Sequence, residues 1–315
     1  MHKIALHTGQ SRVYHDLFRK KACRYSVVCC SRGWGKSYVG CTAAMTAVYE
    51  LMELPAEVPN KTVWIIAPTF DQVRDIYYPL LQYDMGCESL ATSSSRTLGE
   101  FHFPNNVSLR LLSFESVERM RGKGAYFVVW DEVSSCHRGM TAKDAWEAVI
   151  SPCITTRWSR QSAARFGSEP GRALIISTPK GYNYFHELWA RNVDDWKSYH
   201  FDFTTSPYLD PSEIEAARHT LDPITFASEY LASFKESGAS VFYPFSREKH
   251  RRTDLEYFKP GEDVHVCIDF NVGLQCSAAF ALRGGEMHFL DEFQGHPDTE
   301  SLAKSLANRY KGHRI

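Results

Sequence analysis

The chain has 315 residues, 43% hydrophobic and 23% charged, which excludes a disordered or low-complexity protein and gives enough length for roughly two cores. No apolar run approaches the ~18 residues needed to cross a bilayer, and the nine cysteines show no CxxC pair or other zinc or disulfide spacing, so a reducing intracellular setting without a membrane is expected. Lys and Arg (36) balance Asp and Glu (37), so any signal for nucleic acid has to be local.

The first two-thirds of the chain alternates short β-rich runs with helical stretches, the pattern of a parallel sheet covered on both faces. Compact apolar runs at 25–30, 63–67, 127–130 and 173–177 read as strands buried on both faces, in which Cys29 and Cys30 behave as small hydrophobes. The first strand leads into Cys30-Ser31-Arg32-Gly33-Trp34-Gly35-Lys36-Ser37 and then a helix. In that setting backbone amides and the helix N-terminus cradle phosphates, Lys36 reaches the β/γ oxygens and the Ser37 hydroxyl ligates Mg2+. Cys30 stands where a first glycine is usual, and Arg32 places a guanidinium inside the loop; a plain strand–turn–helix also fits these residues. Two alternating segments around Pro104-Asn105-Asn106 suggest a hairpin over 100–114.

The strand at 127–130 ends in Asp131-Glu132, at the edge where open α/β sheets bind ligands. Asp131 there suits Mg2+ held through water, and Glu132 suits a base that orients or deprotonates the attacking water. Alone, such a strand end is commonplace; 95 residues after Lys36 it gains weight. The strand at 173–177 ends in Ser177-Thr178-Pro179-Lys180-Gly181. Its hydroxyls either sense a γ-phosphate or merely cap a helix and set a turn. Helices are expected after Lys36, Asp71, Ala142 and Tyr182, and over 211–221 and 223–234. An irregular charged connector covers 238–261. A new strand pattern follows at 264–270, 277–282 and 287–293, with a helix at 299–310. Cys267 and Asp269 lie on the first of these strands, and Asp291 and Glu292 close the third, read as solvated carboxylates with a metal contact by one of them as the alternative. Arg157, Arg160, Arg165, Arg172 and Lys180 against Glu169, and Arg247, Lys249, Arg251 and Arg252, form two basic clusters suited to phosphates or simply to solvent.

Together these motifs resemble the large terminase subunit of tailed bacteriophages over nearly the whole chain. The loop with an arginine and no leading glycine is similar to that family's variant phosphate loop. Ala67-Pro68-Thr69 with Gln72, Arg121-Gly122, Ser177-Thr178-Pro179 and Phe226-Ala227-Ser228-Glu229-Tyr230 running into Val241-Phe242 also match. The resemblance implies an α/β P-loop NTPase of the additional-strand type with a central, mostly parallel sheet over 1–205. A small helical subdomain at 206–240, a connector at 241–262 and the opening of an RNase H-like α/β nuclease at 263–315 would follow. It implies ATP and Mg2+ as ligands, with Ser31 to Ser37 binding nucleotide, Gln10 reading adenine and Ser177, Thr178 and Pro179 coupling the site to its surroundings. Glu132 and Arg32 would be catalytic, and Arg121, with Arg119 in reserve, would reach a neighbouring subunit's nucleotide. Asp269 would be the first carboxylate of a two-metal nuclease using Mg2+ or Mn2+. The family's other nuclease acids would lie beyond Ile315, so this chain is expected to carry that site incomplete. Double-stranded DNA, the portal protein, a small terminase subunit and further copies in a ring are the implied partners. The implied place is the host cytoplasm, docked at the procapsid portal. A helicase-like DNA translocase unconnected to capsids and a nucleotide-binding scaffold without turnover are the alternatives.

Overall fold

The runs expected as buried strands become β1 (Tyr25–Cys30), β2 (Thr62–Ala67), β6 (Phe127–Asp131) and β7 (Arg172–Ser177), and nearly every residue in them is buried. In the computed structural model, which describes residues 4–136, 139–234, 251–270 and 274–315, they belong to one eight-stranded sheet. The expected hairpin is present as β4 (Glu100–Phe103) and β5 (Val107–Ser113). Asn105 and Asn106 make its turn at φ 62° and 60°, a region that asparagine tolerates better than most residues. Two edge strands, β3 (Ser93–Ser95) and β8 (Trp196–Phe201), lie outside the sequence expectation.

The strand order is β3-β4-β5-β2-β6-β7-β1-β8. From β5 to β8 every pairing is parallel, and β3-β4-β5 is antiparallel. β7 is therefore inserted between β1 and the strand that ends in Asp131, the additional-strand arrangement that the resemblance implies. Register pairs Cys29 with Ser177 and Asp131 with Ile176, so the motif-bearing strand ends share one edge. Helix α1 (Thr8–Tyr14) lies near the start of the chain, α2 (Lys36–Met52) follows the loop after β1 and α3 (Phe70–Pro79) follows β2. Ten of the 17 residues of α2 are buried, because it lies in the main core against β6 and β2.

The helical stretch after residue 206 resolves into Pro211–Thr220 and Pro223–Glu229, each with an aspartate cap and a proline in its first turn. The second stops at Glu229 instead of running to Phe234. Beyond it Ala232 adopts φ 51° and its carbonyl accepts from Cys29 and His200, so the chain leaves the helix to lie over β1 and β8.

By contact the chain divides into two units, Met1–Val241 and Phe242–Ile315. In the second unit β9 (His265–Asp269), β10 (Gln275–Arg283) and β11 (Glu286–His296) form an antiparallel sheet in the order β11-β10-β9. The helix Thr299–Arg309 packs on one face of it through Leu302 and Leu306, with Val264, Ala279, Ala281 and Tyr310. Cys267, within an apolar run of the sequence, is nonetheless exposed, because its side of β9 faces away from that helix. Much of the expected connector, including Arg247 and Lys249, lies outside the described residues. Arg252 is paired with Asp254 through two bonds of 2.7 Å.

Candidate active site

Three strand ends and one helix start converge on a cavity of about 340 Å3, lined by Arg32, Lys36, Asp131, Glu132, Thr178 and Lys180 among others. The loop between β1 and α2 turns through Gly33 at φ 73° and Gly35 at φ 89°. A side chain at Gly33 would run into Leu209, and one at Gly35 into the Gln10 amide, so both glycines are required by geometry. Gly35 is the residue before the first turn of α2. The amides of that turn have no carbonyl four residues back to bond, and they point toward the cavity edge with the positive end of the helix dipole. Ser31 is fully buried and its Oγ has no hydrogen-bond partner among the described residues.

Lys36 sits at the centre. Its Nζ donates to Thr178 Oγ1 at 2.8 Å and lies 3.3 Å from Glu132 Oε1. Burial works against the Lys36 ammonium, but the Cys30 sulfur and the carboxylates of Glu132 and Asp131 around it outweigh that and hold the pKa above that of an ordinary lysine. Asp131 is 5% exposed. Its Oδ1 accepts the Glu132 backbone N–H at 2.9 Å and its Oδ2 accepts the Tyr77 phenol at 2.7 Å. Burial first, and then the neighbouring Glu132 carboxylate, push the Asp131 carboxyl up to about 6 despite the nearby Lys36 charge. Glu132 itself adopts φ 51°, an unfavourable conformation for a residue with a Cβ and one that turns the chain sharply away from β6.

The segment after β7 is tied to the segment after β6. The Ser134 N–H donates to Ser177 Oγ at 3.2 Å, Ser177 Oγ donates to the Thr178 carbonyl at 2.8 Å, and Lys180 Nζ donates to Ser135 Oγ at 2.8 Å. The stretch 226–230 joins the same network. Ser228 Oγ donates to the Pro179 carbonyl, and the Glu229 carbonyl accepts the Arg32 N–H at 2.7 Å. Ala67, Pro68 and Gln72 line the cavity as well, placed there by Thr69, which caps α3 with its hydroxyl.

The structure thus brings together Arg32, Lys36, Asp131, Glu132 and Thr178 around one space, with Ser31, Gly33, Trp34, Gly35 and Ser37 on the loop and helix start beside it and Ser177 and Pro179 flanking it. Gln10 is fully buried. Its amide donates to the Gly35 carbonyl at 3.0 Å and accepts the His7 N–H at 3.2 Å, so it braces the loop. Arg121 does not line the cavity: it is exposed, held to both Glu118 oxygens at 2.6 and 3.0 Å and to the Ala148 carbonyl at 3.1 Å. Arg119 is exposed too. Of the first basic cluster, Arg157, Arg160 and Arg165 are exposed, but Arg172 is buried at the start of β7 and is not available to a phosphate backbone. Tyr77 was not legible as a site residue, because Val73 and Tyr77 read simply as the apolar face of α3.

The second unit has a wider hollow of about 730 Å3 over its sheet, lined by Cys267, Asp269, Cys276, Asp291 and Glu292 among others. Its size is no guide to chemistry. Asp291 is not a solvated carboxylate as expected: it accepts the phenols of Tyr257 and Tyr310 (the latter at 2.8 Å) and Arg309 Nε at 3.2 Å. Burial alone would raise its pKa, yet these donors keep it below the usual aspartate value. Asp269 is exposed on β9 opposite Cys276.

Residues 28–250 match the family described as terminase large subunit, T4likevirus-type, N-terminal. The large terminase subunits of Escherichia phage T5 and Thermus phage G20c are 26% and 25% identical to the chain over 316 and 337 residues, covering 93% and 91% of it. The matched parts are 65% and 64% of those proteins, so the chain spans just under two-thirds of the length of these curated relatives. Among solved structures, the large terminase ATPase domain of Thermus phage P74-26 superposes with a TM-score of 0.55 at 22% identity, covering 73% of this chain and 94% of that one. The large terminase of a thermophilic bacteriophage in complex with ATP-gamma-S gives 0.53 at 12% identity over 97% of this chain and 73% of that one. These likenesses establish the fold.

Proposed function

From the premise that this chain belongs to the terminase large-subunit family, T4likevirus type, we propose that it hydrolyses ATP to drive double-stranded DNA into a viral procapsid. The observation that carries this reading is Lys36, whose single ammonium is shared between Glu132 at the end of β6 and Thr178 just beyond β7. A phosphate chain seated on the loop amides is a stronger partner for that ammonium. Binding therefore draws Lys36 toward the β/γ oxygens and releases Glu132 to orient and deprotonate a water. The same exchange breaks the bond to Thr178. Because Ser177 and Lys180 are bonded to the turn after Glu132, the change passes into the strand ends and into the 226–230 segment.

The residues suit Mg2+: Ser37 would hold it directly and Asp131 through water, with the orphaned Ser31 hydroxyl and the free helix amides left for phosphate oxygens. When bound, the ion neutralises charge developing on the transferred phosphoryl group. Arg32 lines the cavity beside the phosphates. Arg121 serves a neighbouring subunit's site in a ring, exchanging Glu118 for the transferred phosphoryl group. Arg157, Arg160 and Arg165 supply exposed charge for the DNA backbone. Portal protein and a small terminase subunit complete the assembly, which works in the host cytoplasm, and Asp269 belongs to a nuclease acting on concatemeric DNA.

The test is ATP turnover with and without portal-bearing procapsids and linear duplex, scored alongside protection of the duplex from added nuclease. Turnover that rises only when procapsids are present, with protected DNA, supports the packaging motor. Turnover driven by DNA alone, with strand separation, favours a helicase-like translocase, and nucleotide binding without turnover favours a scaffold.

A further inference from the structure

We infer that Tyr77 is a positioning residue for the metal-bearing side of the nucleotide site, acting through the bond its phenol donates to Asp131; the inference rests on the nucleotide-binding reading above. Tyr77 lies on α3, outside every motif of the phosphate loop and the Asp-Glu strand. It is fully buried, yet it lines the same cavity as Lys36, Asp131 and Glu132. A buried tyrosine needs a partner for its hydroxyl, and here the partner is Asp131 Oδ2 at 2.7 Å. With Oδ1 held by the Glu132 N–H at 2.9 Å, each oxygen of the carboxylate has a fixed donor. Its plane is set before any ion arrives, and its remaining lone pairs are left for the cavity.

The approach is built into α2. A Cβ at Gly40 would come within 3.3 Å of Tyr77 Oη and 3.4 Å of its ring, tighter than side chains normally pack. The glycine one turn after Lys36 is what lets the phenol sit between α2 and β6. Partners that orient a metal ligand from behind commonly change metal affinity about 10- to 100-fold when removed. Tyr77 is also the last link of a short path. The segment 67–69 and Gln72 begin α3 at the cavity rim, and Tyr77 near its end bonds Asp131. The position of α3 and the orientation of that carboxylate are therefore set together.

The experiment uses the full chain and a fluorescent ATP analogue, with affinity measured first without divalent ions and then across a Mg2+ titration, beside thermal melts. Tyr77→Phe keeps the ring and removes only the donor. Its Mg2+-free affinity is expected within about twofold of the parent, since the loop and Lys36 are untouched, while the Mg2+ concentration at half-effect rises about tenfold. Placing 3-fluorotyrosine at position 77 gives a better donor, is expected to move the half-effect the other way, and decides the matter should Tyr77→Phe fail to fold. An unchanged Mg2+ half-effect in a folded Tyr77→Phe protein, or in the fluorotyrosine protein, makes Tyr77 packing alone and overturns the inference. A parent protein whose nucleotide affinity ignores Mg2+ overturns instead the reading of the site on which the inference stands.

Discussion

The two ends of the large sheet are built from similar residues under opposite conditions. At the amino end Arg172 is 3% exposed and both terminal nitrogens of its guanidinium are engaged, while its Nε has no partner among the described residues. It donates to the Leu17 carbonyl at 2.9 Å, to the Tyr126 hydroxyl at 2.6 Å and to Glu50, and it lies 4.6 Å over the Phe18 ring. Glu50 reaches that end because α2, which starts at Lys36 on the carboxyl edge, rises about 1.5 Å per residue and so crosses the sheet. Lys61, equally buried, donates to the Pro55 carbonyl at 3.0 Å. At the carboxyl end the groups are left unfinished. Ser31 Oγ and Ser134 Oγ have no partner among the described residues, Glu132 sits at φ 51°, and Asp131 is held as a reluctant anion. The amino end ties its charged groups mainly to one another, while the carboxyl end keeps a buried lysine, two carboxylates and an unpartnered serine beside an open cavity.

If that contrast is right, mutation should separate activity from stability. Glu132→Gln keeps size and the contact to Lys36 but removes the base. Steady-state turnover is expected to fall about 10²–10⁴-fold, with ATP affinity retained and the melting temperature nearly unchanged. Normal hydrolysis by this variant would remove Glu132 from the chemistry. Arg172→Ala works in reverse. It removes the cation that Glu50 and the Tyr126 hydroxyl share, leaving them only their bond to each other, and opens a hole beside Phe18, so urea unfolding should show a loss of about 2–4 kcal/mol. Turnover per folded molecule should stay within about twofold of the parent. A variant as stable as the parent would break the comparison at its amino end.

Asp131 gives the contrast a pH dependence. Its pKa is about 6 in the folded chain against 3.8 as the reference, so between these values the folded state holds more protons than the unfolded one. Stability contributed by this group is then lost as pH rises through the window, and the penalty is complete above about pH 6. Asp131→Asn should therefore stabilise the ligand-free protein at about pH 8 by about 1–3 kcal/mol, with the gain gone by about pH 4. The same variant should lose the extra stabilisation that ATP with Mg2+ gives the parent. Melts across this pH range, with and without ligand, check both halves; destabilisation at the alkaline end would count against a strained carboxylate.

What the sequence revealed tracks this division. β1, β6 and β7 were legible because strands buried on both faces must be continuously apolar, and the turns that follow must carry the chemistry. β8 was not, since an edge strand carrying Lys197, Ser198 and His200 has no such constraint. Charge counting placed Arg172 with the exposed arginines, because nothing local tells an arginine at a strand start that it will turn inward toward Glu50, 122 positions away. Tyr77 escaped for the complementary reason: its ring obeys the helix periodicity and only its hydroxyl serves the site. That the Gln10 amide is tied to the loop carbonyls was not legible either, being a contact between segments far apart in sequence.

The smallest effect is expected where a strand-end carboxylate lacks that convergence. Asp269 ends β9 much as Asp131 ends β6, but β9 pairs only with β10 among the described residues, and Asp269 is exposed. No group of three His, Cys, Asp or Glu residues is disposed to hold a metal among the described residues. Asp291, which lines the same hollow, is committed to Tyr257, Tyr310 and Arg309. Two-metal cleavage needs several carboxylates to hold ions that, for Mg2+, shed water reluctantly. Incubation of this chain with linear or supercoiled duplex and either Mg2+ or Mn2+ should therefore leave the DNA uncut, and Asp269→Ala should leave ATP turnover unaltered. Metal-dependent cutting that vanishes in Asp269→Ala would mean that Glu292 or a released Asp291 joins Asp269, and that a site in the second unit assembles without the shared strand edge on which the first depends.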